Sequence, residues 1–450
     1  MSGGYLIRTF GCQMNEHDSE RIAGLLESGG MAPEADAAAA KVVVLNTCAV
    51  RENADNRLYG SLGHLKPIKD RNPGLRIVVA GCLAQKDQGL IQRRAPWVDV
   101  VVGTHALPGL LDLLRQAEAD GPQMDVREAT EVFPSALPAQ RASDHHAWVS
   151  VSVGCDNRCT FCIVPLVRGP QRSRALGDIV AEVQGVARRG VVEVMLLGQN
   201  VNTYGRDLSV PGSGSRARFG ELLRAVDEVD GIRRVRFISP HPHDFTDDVV
   251  DAMAECDAVC EHIHFPLQSG SDRVLRAMRR SYRSERYLRW LDRIRGGVPG
   301  IAVTTDVIVG FPGETDEDFE ATLEVVRRAR FDAAFTFQYS PRPGTAAAGL
   351  DGQVPKEIVR ERFDRLVELQ ERISLERNRE LVGRDVEILV EGAGRKGNLR
   401  GRTRTNKLVH VHGAELPGTF LRARIREAHP HHLTAEPVRR EAPAVAATSA

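Results

Sequence analysis

The stretch Val149-Ser150-Val151-Ser152-Val153-Gly154-Cys155-Asp156-Asn157-Arg158-Cys159-Thr160-Phe161-Cys162 decides how the rest of the chain is read. It alternates like a short strand, turns at a glycine, and then places three cysteines at a C-x3-C-x2-C spacing within eight residues. Parallel α/β sheets build their sites on loops at the C-terminal ends of strands. Three thiolates on one such loop suit a cubic 4Fe–4S cluster, whose irons are held by cysteine. Three ligands hold three irons and leave the fourth open to another molecule. A zinc knuckle more often pairs its cysteines as C-x2-C with a second pair further on, and no second C-x2-C pair follows Cys162.

Downstream of this loop, strand-like runs recur at 192–197, 235–238, 262–265, 301–309 and 334–339, with helical patterns between most of them. Repeated strand–helix units predict a partial (βα) TIM-like barrel over residues 141–375. Gly198-Gln199-Asn200 follows its second strand and Gly310-Phe311-Pro312-Gly313-Glu314 its fifth. Both are loops at the end where such a barrel carries its site. Apolar residues at Val359, Phe363, Leu366 and Ile373 predict an amphipathic helix over 356–381 that closes this block.

Upstream, apolar runs at 5–7, 42–45, 77–80 and 98–102 alternate with helix-like stretches such as 19–26. They predict an α/β domain with a mainly parallel sheet over residues 4–119. Cys12, Cys48 and Cys82 each follow one of the first three runs. In a parallel sheet such positions converge at one edge, where a second iron–sulfur cluster could be held. Three separately buried cysteines are the alternative, since free cysteine is commonly buried. Residues 120–146 are rich in Ala, Pro and Asp and read as a connector, and 211–220 reads as a flexible surface loop.

The last block, 376–440, has strand-like runs at 386–390, 408–411 and 420–425 with Gly-rich turns, a pattern that suits a small β-barrel. From 395 to 407 it carries six basic residues and no acid: Arg395, Lys396, Arg400, Arg402, Arg404 and Lys407. Such a run is a candidate phosphate-binding surface, or simply a solvated face. Nine arginines against three acids between 271 and 295 make a second candidate surface. Residues 441–450 read as a disordered tail.

The totals exclude several classes. The 450 residues are 42% hydrophobic and 27% charged, with 60 basic and 60 acidic side chains, as in ordinary globular proteins. No apolar run reaches the roughly 18 residues of a membrane span. The first ten residues lack the apolar core of a secretory leader, so the chain is expected in the cytoplasm, where thiols stay reduced. Its eight cysteines are then metal ligands or buried residues, not disulfides. Cys256 and Cys260, four apart, are expected on one buried helix face. His429, His431 and His432 are expected on a solvated tail.

The Cys155/Cys159/Cys162 run resembles the signature of radical S-adenosylmethionine enzymes. From about 5 to about 425 the chain resembles their methylthiotransferase family. The resemblance is carried by Thr9-Phe10-Gly11-Cys12-Gln13-Met14-Asn15 with Asp18-Ser19-Glu20, and by Asn46-Thr47-Cys48-Ala49-Val50-Arg51. It continues in Leu197-Gly198-Gln199-Asn200-Val201-Asn202 and Pro266-Leu267-Gln268-Ser269-Gly270-Ser271. Asp306-Val307-Ile308-Val309-Gly310-Phe311-Pro312-Gly313-Glu314-Thr315 and Tyr339-Ser340-Pro341-Arg342-Pro343-Gly344-Thr345 complete it. The third block resembles a TRAM domain, a small RNA-binding β-barrel.

The resemblance implies an N-terminal methylthiotransferase domain, a radical S-adenosylmethionine core and a TRAM domain. It implies transfer of a methylthio group to C2 of N6-isopentenyladenosine at position 37 of tRNA. Two 4Fe–4S clusters, on Cys155/Cys159/Cys162 and on Cys12/Cys48/Cys82, and two S-adenosylmethionine molecules per turnover follow from it. So do a ferredoxin or flavodoxin reductant, recognition of the anticodon stem-loop, a monomeric state and no membrane. By the same resemblance Phe161 packs on the cofactor's adenine. Gly198, Gln199 and Asn200 line its methionine end, and Gly310, Pro312 and Gly313 its nucleoside end. Ser239, His241, Gln268 and Ser269 are candidates for the pocket wall, and Arg172 and Arg174 for a phosphate or the cofactor carboxylate. Gln13-Met14-Asn15, Arg51 and the basic third block favour isopentenyladenosine over threonylcarbamoyladenosine or a ribosomal-protein aspartate. A non-catalytic zinc- and RNA-binding protein is the alternative of another class.

Overall fold

The protein is described here by a computed structural model covering residues 3–49, 52–128, 137–208, 218–394 and 397–438, with 52–54 as backbone only. Expectations for Arg51, Arg395, Lys396 and residues 441–450 therefore lie outside the described residues, as does most of the 211–220 loop. The chain divides into two compact units. The first comprises Met1–Val259, Arg273–Tyr282 and Tyr339–Gln353, and the second Cys260–Asp272, Arg283–Gln338 and Val354–Ala450.

The first unit opens with β1 (Gly3–Phe10), β2 (Met31–Pro33), β3 (Val42–Thr47), β4 (Arg76–Ala80), β5 (Val100–Val102) and β6 (Gln123–Asp125). They form one parallel sheet in the order β2-β1-β3-β4-β5-β6. Continuous Val/Ile/Leu runs suit strands covered on both faces. On one face Val43, Leu45, Ile77 and Val79 pack against Leu58, Leu62, Leu65 and Leu83. On the other Val42, Val44, Val78 and Ala80 pack against Ile22, Leu26, Leu110 and Leu114. Each such fully buried side chain contributes about 1.5–3 kcal/mol.

The connector is less empty than its composition suggests. β6 adds a sixth strand to the sheet, pairing Val100 with Gln123 and Val102 with Asp125. Three residues are too few to show a period. Further on, Gln140 and Ala142 donate backbone N–H groups to the Glu20 carbonyl and carboxylate at 3.0 and 3.1 Å. Gly24 lets this segment lie on the helix Gln13–Ser28, since a Cβ there would meet the Pro138 carbonyl oxygen at 2.4 Å.

The same unit holds β7 (His146–Ser150), a short antiparallel pair β8 (Ser152–Val153) and β9 (Arg172–Ser173), and β10 (Glu193–Leu197) and β11 (Arg234–Phe237). β7, β10 and β11 make a parallel sheet in the order β11-β10-β7. Cys256 and Cys260 do not share a helix. The helix Asp247–Glu255 ends where Cys256 turns extended and the Asp227 carboxylate accepts the Ala258 N–H at 2.7 Å. Both cysteines are buried, and burial pushes the Cys256 thiol up to about 11.

The second unit contains β12 (His262–His264), β13 (Ala302–Val309) and β14 (Ala333–Gln338), parallel in the order β12-β13-β14. The amphipathic helix Lys356–Arg379 buries Val359, Leu366 and Ile373. It leads into a closed barrel of β15 (Asp385–Ala393), β16 (Leu399–Thr403), β17 (Leu408–Val411), β18 (Phe420–Ala428) and β19 (Leu433–Pro437). Alternation in these strands puts Ile388, Val409, Val411, Ala423, Ile425 and Leu433 inside.

Candidate active site

The first unit brings Cys12, Cys48 and Cys82 to one sheet edge. β1, β3 and β4 are neighbours, with Phe10 opposite Thr47 and Asn46 opposite Ala80, and each cysteine follows its strand within two residues. Two glycines make room for the turns. A Cβ at Gly11 would meet Asn15 Oδ1 at 2.3 Å, and one at Gly81 (φ +90°) would meet Asn46 Oδ1 at 2.3 Å. Asn15 and Asn46 lock the turns together. Asn15 Nδ2 donates to Asn46 Oδ1 at 3.2 Å, while Asn46 Nδ2 donates to the Asn15 carbonyl at 2.8 Å and to Ser19 Oγ at 2.9 Å. Asn15 Oδ1 also accepts from the Cys12 backbone N–H at 3.4 Å.

The thiols of this site differ in acidity. Cys12 is pulled down to about 6 by a hydrogen bond from the Cys48 thiol, with Asn15, Met14 and Arg168 assisting against burial. Burial pushes Cys82 up, although Arg168 opposes it. Arg168 Nε donates to Cys82 Sγ at 3.2 Å, and its Nη2 donates to Asp18 Oδ2 at 2.5 Å. Burial opposes the Arg168 charge, but Asp18 and the two sulfurs outweigh it and hold the guanidinium firmly protonated. Thus Cys12 and Cys82 share one buried cation.

The Cys155–Cys162 loop belongs to the same unit. Gly154 (φ +83°) lets the loop touch the segment that returns to β9, since a Cβ there would meet the Pro170 carbonyl oxygen at 2.0 Å. The Gly154 N–H donates to Gln199 Oε1 at 2.5 Å and the Cys155 N–H to the Gly169 carbonyl at 3.1 Å. Thr160 is held by the carbonyls of Met278 (3.1 Å) and Ala277 (3.0 Å). The Arg280 guanidinium lies 5.4 Å from the Phe161 ring centroid. Burial pushes Cys155 up and Cys162 up to about 11, with negative charge on Cys159 adding to both and Arg280 opposing. Cys155 and Cys162 thus both lie within electrostatic reach of Cys159.

Three thiols are the donor set that a cube with one open iron takes, and each sequence set supplies three. Among the described residues no three His, Cys, Asp or Glu side chains stand close enough to share a single ion. A cube instead binds each thiolate through a different iron. The carboxamide Oδ1 of Asn200, a residue 4% exposed, has no hydrogen-bond partner within the protein. Asn200 also lines a polar cavity with Asp156, Asn157, Gln171, Thr203 and Asp244, beside the cysteine loop.

The other expected site residues fall into three groups. Near the loop, a Cβ on Gly198 would meet Ser152 Oγ at 2.7 Å, and Asn200 Nδ2 donates to Asp244 at 2.9 Å. Ser239 takes φ +60°, uncommon for a residue with a side chain, and its carbonyl accepts the Val201 N–H at 3.3 Å. Burial and the charge of Arg280 push His241 down to about 3, so its ring is neutral. In the second unit Gln268 takes φ +68°, Ser269 lies 3.3 Å from Thr322 Oγ1, and Gly310, Pro312 and Gly313 shape the turn after β13. Gly310 (φ +74°) approaches the helix Lys356–Arg379, where a Cβ would meet Val359 Cγ2 at 2.4 Å. Arg174 is buried and donates to the Ser150 carbonyl at 2.9 Å and to Glu182 at 2.7 Å, contacts of the scaffold rather than of an open pocket. Arg172 is exposed on β9.

The basic residues of the barrel divide. Arg400 and Arg402 point outward from β16, sharing Glu391 at 3.4 and 3.0 Å. Arg404 grips Glu261 at 2.8 Å and Lys407 grips Asp332 at 2.7 Å, so both tie the barrel to the rest of its unit. Sequence reading missed Arg422, Arg424 and Arg426, all exposed on β18. Their period of two was the available signal. It also missed Arg168, and it gave no role to Asp18, quoted only within a motif, or to Arg280, counted only in the 271–295 surface; their partners are distant in sequence.

Three family models match the chain: Radical SAM superfamily over residues 149–326, Uncharacterized protein family UPF0004 over 4–103, and TRAM domain over 379–438. A tRNA-2-methylthio-N(6)-dimethylallyladenosine synthase of Saccharopolyspora erythraea is 58% identical over 448 residues, covering 97% of this chain and 90% of the relative. Those of Frankia alni and Mycobacterium tuberculosis (strain H37Ra) are 59% and 58% identical, covering 96% of this chain and 88% and 81% of theirs. The chain belongs to the tRNA-2-methylthio-N(6)-dimethylallyladenosine synthase family. Its fold is that of the radical S-adenosylmethionine enzymes, a mixed α/β chain ending in a small closed barrel. The methyltransferase TsrM of Kitasatospora setae matches with TM-score 0.56 at 15% identity, covering 77% of each chain. OxsB matches with TM-score 0.52 at 14% identity, covering 82% of this chain and 56% of that one. Among the described residues no helix is long and apolar enough to cross a membrane.

Proposed function

We propose that this enzyme converts N6-isopentenyladenosine at position 37 of tRNA to its 2-methylthio derivative. One observation carries the reading: two three-cysteine sets stand in one compact unit, in a chain 58% identical over nearly its whole length to synthases of this name. The family implies a 4Fe–4S cluster and S-adenosylmethionine, and we assign them to Cys155, Cys159 and Cys162; a second cluster on Cys12, Cys48 and Cys82 is our further assignment. When bound, the first supplies one-electron chemistry able to open an unactivated C2–H bond, and the second supplies sulfur.

The chain's own residues would do the rest. Gln199 fixes the loop by accepting from Gly154, and Asn200 lines the polar cavity beside it. Neutral His241, with Nδ1 3.6 Å from Asp244 Oδ2, would not compete for protons near neutral pH. Phe161 offers a ring face beside the loop. Gly310, Pro312 and Gly313 are assigned to the nucleoside end on the family resemblance alone. Arg400 and Arg402, with Arg395 and Lys396, would contact phosphates of the anticodon stem-loop, and Arg422, Arg424 and Arg426 extend that surface. Arg404 and Lys407 would instead hold the barrel in place. A ferredoxin or flavodoxin would deliver electrons to a monomer in the cytoplasm.

The test is nucleoside mass spectrometry of tRNA from a strain lacking the gene. The 2-methylthio-isopentenyl nucleoside should vanish, isopentenyladenosine should accumulate, and the intact gene but not C155A or C12A should restore it. A deletion strain that still contains the methylthio nucleoside refutes the assignment.

A further inference from the structure

We propose that Arg168 is a positioning residue of the N-terminal three-cysteine site, holding the Cys82 sulfur and supplying the buried positive charge that three thiolates require. The proposal rests on the reading of that site as a cluster site. Arg168 is 3% exposed, and its fork is used at both ends: Nε donates to Cys82 Sγ at 3.2 Å, and Nη1 and Nη2 donate to Asp18 at 3.4 and 2.5 Å. The backbone is fixed on both sides. The Val167 carbonyl accepts from Thr104 Oγ1 at 2.8 Å, and the Gly169 carbonyl accepts from the Cys155 N–H at 3.1 Å. Ile163 and Val167 pack with Ala49 and Cys82. The segment that begins at Cys162 thus delivers, six residues later, a cation to a ligand of the other cysteine set.

Hydrogen bonds to ligand sulfurs and local net charge set the reduction potential of an iron–sulfur cluster, and partners behind the ligands orient them. Arg168 does both. Asp18 holds the planar guanidinium so that Nε faces sulfur, which a lysine ammonium cannot reproduce at two ends. The two residues act on the site with opposite sign. Removing the Arg168 charge and its hydrogen bond makes reduction harder, whereas removing the Asp18 charge leaves more positive charge beside the sulfur and makes reduction easier.

The experiment uses the full chain carrying C155A, C159A and C162A, reconstituted without oxygen with iron and sulfide. Iron per chain and the midpoint potential, followed by electron paramagnetic resonance, are compared for R168M, R168K and D18N in that background. R168M should lower the potential or lose at least half the iron. D18N should move the potential the opposite way, and R168K should fall between R168M and the parent. Iron and potentials unchanged in R168K and D18N overturn the role of Arg168, even if R168M fails to fold. A parent that binds no iron overturns the cluster reading and the proposal with it.

Discussion

Gly154→Ala should empty the Cys155–Cys162 site while leaving most of the protein folded. Two costs can be worked from the geometry. Gly154 has φ +83°, where a residue with a Cβ is strained by about 1–3 kcal/mol. The new Cβ would also stand 2.0 Å from the Pro170 carbonyl oxygen and 2.6 Å from that of Gly169. Neither neighbour is a flexible side-chain end, so the backbone must part by more than 1 Å, roughly. Parting breaks the 3.1 Å bond between the Cys155 N–H and the Gly169 carbonyl, a loss of about 0.5–1.5 kcal/mol. The sum is about 1.5–4.5 kcal/mol, or roughly 10- to 2000-fold in the equilibrium between closed and open loop. Gly177→Ala is the matched control, since nothing lies within 4 Å of its Cβ in the helix Leu176–Ala187. That change should be neutral or stabilise by about 0.5–1 kcal/mol. The assay is iron per chain after anaerobic reconstitution, with S-adenosylmethionine cleavage and urea unfolding alongside. G154A should lose about half its iron and nearly all cleavage. Wild-type iron and cleavage in G154A would refute the reasoning, because a clash of that size cannot be accommodated silently.

Other outcomes follow from the same physics. In metal-free protein at pH 7.5, iodoacetamide should label Cys12, held at about 6, well before Cys162, held at about 11; C48A should slow Cys12, and peptide mass spectrometry showing equal labelling would count against this electrostatic picture. Burial would raise Glu182, but Arg21, Arg174 and Arg141 outweigh it and hold the carboxyl at about 2. A depressed carboxyl stabilises the fold above its unfolded value and loses that contribution as pH falls towards 2. E182Q should therefore cost about 3–5 kcal/mol in urea unfolding at pH 7, with the gap to wild type narrowing between pH 4.5 and 2; a gap that does not change with pH would contradict this. In the barrel, replacing Arg422 and Arg426 with Ala should weaken tRNA binding and flatten its salt dependence, by about one unit of slope for each phosphate left without its arginine. K407A should leave that slope intact and lower the unfolding temperature instead, because Lys407 holds Asp332 and Asn378.

Much of the site was legible along the chain because it is built from local patterns. The strand, glycine and cysteine order at Gly11-Cys12, Gly81-Cys82 and Gly154-Cys155 reflects turns that leave no room for a Cβ. The β-barrel showed in its alternation, and Asn200 and Gly310 stood on loops where parallel strands end. The cysteine pair 256/260 misled because a four-residue spacing looks helical, while the Asp227 carboxylate draws the chain away after Glu255. Arg174 looked like an anion ligand until its fold partners, Ser150 and Glu182, were seen.

By itself the sequence determined the spacing of the cysteines and the order of the three blocks, because each is written in spacing and period, and its motifs carried the resemblance to the family. Only the tertiary structure decided which basic residues face solvent and which serve as ties, and that Arg168 bridges Cys82 and Asp18. Those partners stand 86 and 150 residues away from it. A hydrogen bond depends on register and on the path of the backbone between its ends, and neither is encoded in the residues that flank an arginine.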